Sequence, residues 1–259
     1  MPVEKLEAVV LHTYNLTESS KIVVLLTPLR GKVRAVAKGV RRTKSKFGSA
    51  LEPMTHVEAQ VHFKENRDLQ TLSQAVTRES FPAIRSDLKR LGLASVMCEL
   101  MEQFVQENEE SSRAFALLLV SLKTLASMSK NYPTLLIAYY LKILEISGLQ
   151  PVLENCAGCG KELNRPAYLD AGAGGVLCPG CSSGMGERVA PGSIKIMRRL
   201  LSIDWTMLER VRVPSSSADE ILNVLEAYIA HHTGRKLRTT KFLSSVSNLK
   251  RSNRGQKKP

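Results

Sequence analysis

Four cysteines in two C-x2-C pairs constrain the fold of this chain more than any other feature of its sequence. Cys156 and Cys159 form the first pair, Cys178 and Cys181 form the second, and eighteen residues separate the pairs. Each pair can present two thiolates to one side of an ion, so this spacing is typical of a tetrahedral zinc site. We predict one structural Zn²⁺ ion, held by all four cysteines with no open coordination position.

Two other uses of these cysteines are disulfides and an iron–sulfur cluster. The chain has five cysteines, and its start, MPVEKLEAVV, carries Glu4 and Glu7 where an export signal would be basic and then apolar. We therefore expect a cytoplasmic protein, and the reducing cytoplasm disfavours structural disulfides. An iron–sulfur cluster stays possible, but the spacing lacks the compactness typical of ferredoxins. The fifth cysteine, Cys98, lies in an apolar helical pattern and is expected to be buried.

The positive charge of the chain is concentrated in two stretches. The net charge is +13, from 37 Lys and Arg against 24 Asp and Glu. Residues 30–46 carry eight of the basic residues and residues 235–258 carry nine, without an acid, so the remaining 20 basic residues are outnumbered by the 24 acids. This distribution favours a polyanionic partner, although a solvated tail would account for residues 250–259 alone. The apolar stretches are much shorter than a membrane span, so no membrane partner is expected.

The first 80 residues have the pattern of short β-strands. Apolar and polar side chains alternate most clearly at residues 56–63, and similar segments lie at 6–14, 21–27, 32–40 and 69–76. Five strands in a segment of this size favour a small closed barrel of the oligonucleotide-binding (OB) type. From about residue 87 the apolar period becomes helical, and helices are predicted at 88–105, 113–130, 134–147, 193–201 and 215–232.

The predicted fold class is therefore α+β, with several domains. An OB-fold DNA-binding domain is expected at 1–80 and a helical domain at 81–151 and 187–245, with a four-cysteine zinc module inserted at 152–186 and a basic flexible tail at 246–259. The segment between the first and last zinc ligands is locally neutral, with Lys161 and Arg165 against Glu162 and Asp170. We therefore expect the zinc ion to stabilise the fold rather than to read DNA.

One face of the third predicted strand is basic, and the loop after it continues that charge. Alternation places the basic residues of the strand on one side and Val33, Ala35 and Ala37 on the other. A basic stripe of this kind can follow successive phosphates, whereas the structural alternative is a solvated strand edge protected by lysines. Only Tyr14, Phe47 and Phe63 supply aromatic rings here, so weak sequence selectivity is expected. The candidate phosphate contacts are Lys32, Arg34, Lys38, Arg41, Arg42, Lys44 and Lys46.

Residues suited to catalysis do not form a recognisable pattern. His12, His56 and His62 lie on predicted strands without an obvious carboxylate partner, and His231 and His232 are adjacent at a helix end. A packed or solvated histidine is the simpler interpretation of each. The sequence therefore does not predict an enzyme.

Several segments resemble the RecO family of bacterial recombination and repair mediators. The run ESSKIVVLLTPLRGKVRAVAKGVRRTKSKFGSALEPMTHVE resembles the family's amino-terminal OB domain, and YYLKILEISGLQP, CAGCGK and CPGC follow in order. The late segment RKLRTTKFL is similar to the family's closing basic helix, which adds Arg235, Arg238 and Lys241 to the candidate DNA contacts.

The resemblance implies a nucleoid-associated protein without catalytic turnover, active in DNA repair, DNA recombination and the response to DNA damage. Such a protein binds single- and double-stranded DNA and anneals complementary strands. With RecR it assists RecA loading onto DNA coated with single-stranded-DNA-binding protein, whose acidic carboxyl-terminal tail it recognises. The alternative left open is a zinc-containing OB-fold adaptor that binds RNA, ribosomal proteins or other protein partners.

Overall fold

A computed structural model describes residues 3–42, 45–64, 67–163 and 165–240 of the chain. The described residues form two compact units, residues 3–126 and residues 127–240. The four predicted domain ranges stay a prediction, and the tail at 246–259 lies outside the described residues. In the part of the chain that is described, no helix has both the length and the apolar character needed to cross a membrane.

The first unit begins with a closed five-stranded barrel, which confirms the predicted OB-like sheet. Its strands are β1 (Val3–Asn15), β2 (Lys21–Thr27), β3 (Gly31–Ala37), β4 (His56–His62) and β5 (Gln70–Glu79). The order around the barrel is β1-β2-β3-β5-β4, and all neighbours are antiparallel except β3 and β5. Inward side chains from every strand fill the barrel, together with Phe47, Ala50 and Leu51 from the β3–β4 connection.

Three helices follow the barrel within the first unit. They are α1 (Pro82–Arg85), α2 (Leu88–Phe104) and α3 (Ser112–Ser127), the last of which ends at the boundary between the units. Asp87 caps α2, since its carboxylate accepts hydrogen bonds from the backbone amides of Lys89, at 2.7 Å, and Arg90. The short α1 was not predicted. Cys98 of α2 is buried, as expected from the sequence.

Residues 105–111, which connect α2 to α3, run along the β2–β3 hairpin and are fastened to it through the backbone. The amide of Lys32 donates to the Gln106 carbonyl at 3.0 Å, and the amide of Asn108 donates to the Arg30 carbonyl at 3.0 Å. A third bond joins the Ser111 amide to the Pro28 carbonyl at 2.7 Å. We call this segment the strap, and it holds the end of α2 against the outer surface of the barrel.

The second unit is mainly helical and carries a small sheet. Its elements are α4 (Tyr132–Ile146), β6 (Ala167–Asp170), β7 (Gly175–Leu177), α5 (Pro179–Ser182), β8 (Glu187–Val189), α6 (Pro191–Leu201), a 3-10 helix (Trp205–Arg210) and α7 (Ser215–Thr233). The sheet has the order β7-β6-β8 and is antiparallel. Buried residues occur on all sides of α4, as its uninterrupted apolar sequence predicts, and α4 packs against α6 and α7.

Gly31 occupies a tight position between the β2–β3 hairpin and the strap. Its φ is +55°, and an added Cβ would lie 2.4 Å from the Gln106 carbonyl oxygen and 2.7 Å from that of Glu109. Gly31→Ala should therefore lower the free energy of unfolding by about 2–4 kcal/mol, through left-handed backbone strain plus the clash. Urea unfolding monitored by circular dichroism measures this change.

Gly48 provides a matched control, because its φ is +51° but a Cβ there would meet nothing within 4 Å. Gly48→Ala should cost only the conformational strain, about 1–2 kcal/mol. Equal losses for the two variants would show that the strap does not press on the hairpin.

Candidate nucleic-acid interface and candidate metal centre

The candidate DNA contacts near β3 fall into two groups. Lys32 and Arg34 point outward from β3 as the alternation predicts, but both make contacts within the molecule. Lys32 Nζ donates to the carbonyl of Glu102 in α2 at 2.7 Å, and Arg34 Nε lies 3.1 Å from Glu107 Oε1 in the strap. The charge at the start of β3 is therefore partly used to hold α2 and the strap.

The second group is at the far end of β3 and in the loop that follows. Lys38, Arg41, Arg42 and Lys46 are all exposed, and we call these four residues the basic end of the barrel. Among the described residues, none of the four has an acidic group within salt-bridge distance. Lys44 lies outside the described residues. The basic end thus has positive charge that the described part of the molecule does not neutralise.

Arg41 fastens the β3–β4 loop to the β1–β2 loop. Its backbone amide donates to the Ser19 carbonyl and its Nη1 donates to the Thr17 carbonyl, each at 3.2 Å. The amide of Arg42 closes a turn onto the Gly39 carbonyl at 3.2 Å. The β2–β3 face and the β1–β2 loop of an OB barrel are the usual places for oligonucleotide binding, so these bonds bring the basic end to a suitable edge.

The three aromatic residues expected to be available in the barrel are not equivalent. Phe47 is only 3% exposed, because it belongs to the barrel core. Phe63 is covered by the guanidinium of Arg30, which lies 4.4 Å from its ring centroid and also pairs with Glu4. Tyr14, by contrast, is 45% exposed. Phe47 is therefore not accessible for base stacking, although the sequence suggested that it would be.

The outer surface of β1, β4 and β5 has a different electrostatic character. Glu58 accepts from Lys5 at 2.6 Å and from Arg78 at 2.5 Å, and these two bonds lower the pKa of the Glu58 carboxyl. His56 Nε2 lies 2.8 Å from Glu7 Oε1, so the expectation that His56 lacks a carboxylate partner was wrong. Residues 49 positions apart make this pair, which is why the sequence did not reveal it. Lys5, Glu58 and Arg78 are thus paired with one another on this surface.

The remaining candidate DNA contacts belong to the second unit. Arg235 and Arg238 follow α7 and are exposed. Lys241 lies outside the described residues.

The four cysteines of the two C-x2-C pairs come together in the second unit. Their Sγ atoms all lie within 4.8 Å of one another, and those of Cys159 and Cys178 are 3.9 Å apart. A tetrahedral ion with Zn–S bonds of about 2.3 Å needs sulfurs about 3.8 Å apart, so the cluster fits such an ion. The thiols are free rather than joined in disulfides. Cys156, Cys159, Cys178 and Cys181 can therefore bind one metal ion.

Backbone turns bring the paired thiols to one side. The amide of Gly160 donates to the Cys156 carbonyl at 2.8 Å, and the amide of Cys181 donates to the Cys178 carbonyl at 3.0 Å. Gly158 leaves room for the opposite pair, since a Cβ there would be only 3.2 Å from Cys181 Sγ. This close packing holds the two pairs face to face.

Hydrogen bonds give the cysteine thiols of the cluster different pKa values. The backbone amide of Cys178 donates to Cys156 Sγ at 3.2 Å, and this bond is the main reason why the pKa of the Cys156 thiol falls to about 6. Hydrogen bonds with the sulfurs of Cys178, Cys159 and Cys156 raise the pKa of the Cys181 thiol to about 12. One thiolate is thus favoured in a cluster of thiols, and a cation would take the place of the remaining protons.

Two sets of hydrogen bonds attach the cluster to the rest of the unit. Val152, before the first pair, exchanges backbone bonds of 2.9 Å with Gly174 and Val176 around β7, and β7 leads directly to Cys178. Arg198 of α6 donates to the carbonyls of Leu153, at 2.8 Å from Nε, and Glu154, at 2.5 Å. The segment that leads into the first cysteine pair is thus attached to both β7 and α6.

Comparison with known proteins places both units in one family. A family model described as recombination protein O N terminal matches residues 1–81, and one described as recombination protein O C terminal matches residues 85–241. A protein of Symbiobacterium thermophilum called DNA repair protein RecO is 37% identical over 251 residues, which cover 95% of this chain and 98% of that protein.

Two further relatives have the same description. The DNA repair protein RecO of Anaeromyxobacter dehalogenans is 34% identical over 248 residues, with 95% of this chain and 97% of the relative covered. That of Frankia casuarinae is 37% identical over 246 residues, with 94% and 99% covered.

The metal centre predicts different outcomes for the five cysteines. Cys178→Ser should abolish stoichiometric metal binding and lower the thermal midpoint of the metal-loaded protein by roughly 5 °C or more, because an ion held by all four sulfurs would join the two cysteine pairs. Cys98→Ala is the matched control, because it removes a buried cysteine of α2 that is outside the ligand set, so it should leave metal binding at one ion per chain. Elemental analysis and differential scanning calorimetry measure both properties. Retention of the ion by Cys178→Ser would contradict the proposed ligand set.

Proposed function

This chain belongs to the recombination protein O (RecO) family, and on that premise we propose that it is a DNA repair protein that binds DNA through the basic end of the barrel. The observation that carries the proposal is the exposed group of Lys38, Arg41, Arg42 and Lys46, which lacks acidic partners among the described residues. Neutralising phosphates there would release counterions, so affinity should fall steeply with salt and depend little on sequence.

We propose further that the protein anneals complementary strands without catalytic turnover. Two DNA strands repel each other through their phosphates, and a basic surface that binds both lowers that repulsion and brings the strands together. No bond needs to be made or broken in this activity. We assign Lys44 to the same DNA contact and propose Arg235, Arg238 and Lys241 as further DNA contacts in their own right. Lys32 and Arg34 contribute less, because α2 and the strap already engage them.

The partners that we propose are those implied by the family resemblance. With RecR, the protein would assist RecA loading in the cytoplasm onto DNA coated with single-stranded-DNA-binding protein. The acidic tail of that coating protein would be bound by the helical domain, as an apolar and acidic peptide in a groove.

We propose Zn²⁺ as the ion held by Cys156, Cys159, Cys178 and Cys181. Four thiolates fill its tetrahedral shell, so the ion would stabilise the fold and would not activate water. The contacts of Arg198 with the segment before the first pair support this scaffolding role, because they join the metal centre to α6.

A charge-removal experiment tests the assignment of the DNA surface. The double variant Arg41→Gln, Arg42→Gln should bind a single-stranded oligonucleotide at least about tenfold more weakly at low salt, since two phosphate contacts are lost. The magnitude of the slope of log affinity against log salt should fall by about 1.4, because each phosphate contact on a single strand contributes about 0.7. Fluorescence anisotropy over a salt series measures both quantities.

The control removes the same charge from the paired surface. Lys5→Gln, Arg78→Gln takes away the two cations that hold Glu58, and it should leave both the affinity and the salt slope nearly unchanged. Equal losses in the two double variants would mean that net charge alone, and not the basic end, governs binding.

Annealing assays of the Arg41→Gln, Arg42→Gln variant test activity and partner together. The substrates are naked DNA and DNA coated with a single-stranded-DNA-binding protein, with or without its acidic tail, and we expect the variant to lose annealing. Binding to RNA or ribosomal proteins in preference to DNA would instead favour the adaptor function.

A further inference from the structure

Three outward-facing side chains form a row across the barrel beside the basic end. Tyr14 of β1 is paired with Ile22 of β2, and Ile22 is paired with Val36 of β3. Side chains at directly paired positions lie about 5 Å apart, so the three form a continuous strip about 10 Å long. We call Tyr14, Ile22 and Val36 the apolar row.

The apolar row lies where the helical cover of the barrel ends. Val24 and Leu26 also alternate to the outside of β2, yet each has 0% exposure. Toward the start of the strand, Ile22 is only partly buried, and its neighbour Tyr14 is 45% exposed. The row is therefore the first part of the β1–β2–β3 face that a ligand could reach.

The ring of Tyr14 is held from two sides. Its hydroxyl donates to Glu102 Oε1 of α2 at 3.0 Å, and His12 packs against it in an edge-to-face arrangement with centroids 4.4 Å apart. These contacts restrict the side chain while nearly half of it remains exposed. An aromatic ring that is oriented before the ligand arrives loses less entropy on binding.

Positive charge borders the apolar row at the barrel's edge. Lys38 follows Val36 by two residues, so it continues the outward side of β3. Asn15, next to Tyr14, leads into the β1–β2 loop, whose Thr17 and Ser19 carbonyls are bound by Arg41. The same surface thus offers cations for phosphates and an aromatic ring beside them.

We propose that Tyr14 is a stacking platform for an unpaired nucleobase, with Ile22 and Val36 extending its apolar surface, while the basic end holds the adjoining phosphates. This inference rests on the proposed DNA binding and adds a distinction that charge alone does not provide. A duplex keeps its base faces stacked on one another, whereas a single strand can place a base on Tyr14. Tyr14 therefore gives the barrel a preference for single strands.

The test combines variants of Tyr14 with DNA that lacks bases. Tyr14→Ala and Tyr14→Leu should bind a single-stranded oligothymidine about five- to tenfold more weakly than the wild-type chain, at the lower end of what one stacked base contributes. Duplex affinity should change by less than about twofold, and the salt slope should stay the same, since no phosphate contact is removed. Tyr14→Phe should lose less than about twofold in single-strand affinity, because it retains the stacking ring and the His12 contact and loses only the orienting bond to Glu102.

Abasic single strands isolate the role of the base. Wild-type affinity should drop by the same five- to tenfold factor when the bases are removed, and the Tyr14→Leu variant should then bind as tightly as the wild type. The midpoint of urea unfolding, measured for every variant, checks that each is folded. If Tyr14→Ala is unstable, Tyr14→Leu replaces it in the comparison.

The outcomes separate this inference from the proposed function. Equal single-strand affinity for wild-type, Tyr14→Ala and Tyr14→Leu chains would overturn the stacking platform and leave DNA binding by the basic end intact. A loss in Tyr14→Leu that persists equally on abasic DNA, or an equal loss in Tyr14→Phe, would assign Tyr14 a purely structural role. A wild-type chain that binds neither single strands nor duplex would overturn both proposals.

Discussion

The attachment of α2 and the strap to the β2–β3 hairpin is the constraint on which the functional surface depends. Backbone bonds from residues 105–111 to the hairpin, and the absence of a side chain at Gly31, bring helical structure onto part of the barrel's outer face. On the same face Val24 and Leu26 are buried, and Lys32 and Arg34 contact α2 and the strap. On this face the exposed residues lie at the opposite end of the same strands, which is where we propose that nucleic acid binds.

The distribution of ion pairs explains why net charge is a poor guide to that surface. Several cations that contribute to the value of +13 act within the molecule: Arg30 with Glu4, Lys5 and Arg78 with Glu58, and Arg198 with backbone carbonyls. Such residues hold structure together and attract a polyanion weakly, because an acid already lies beside most of them. Cations without an acidic neighbour attract a polyanion more strongly, and the basic end places four of them together at one edge of the barrel.

Regular patterns let the sequence predict much of the fold. Alternation identified β4, since a half-buried strand imposes a period of two, and richness in Val, Leu and Thr identified the other four strands of the barrel. Cysteine spacing identified the cluster because its geometry is local. The small sheet around β6 was missed, because strands of three or four residues are too short to show a period. Pairs such as His56 with Glu7 and Arg34 with Glu107 were also missed, since only the tertiary fold brings these residues together.

The metal centre and the barrel illustrate two ways of holding a surface in place with few residues. In the second unit, four sulfurs and the bonds of Arg198 fix a segment whose strands are too short to be stable alone. In the first unit, the strap fixes the β2–β3 hairpin through backbone hydrogen bonds. Side chains beside these bonds are therefore not needed for the attachment. Tyr14 contacts α2 through its hydroxyl, and its exposed ring lies at the limit of the helical cover. The sites that we propose for a base and for its phosphate therefore adjoin at this edge of the barrel, where apolar and basic groups meet.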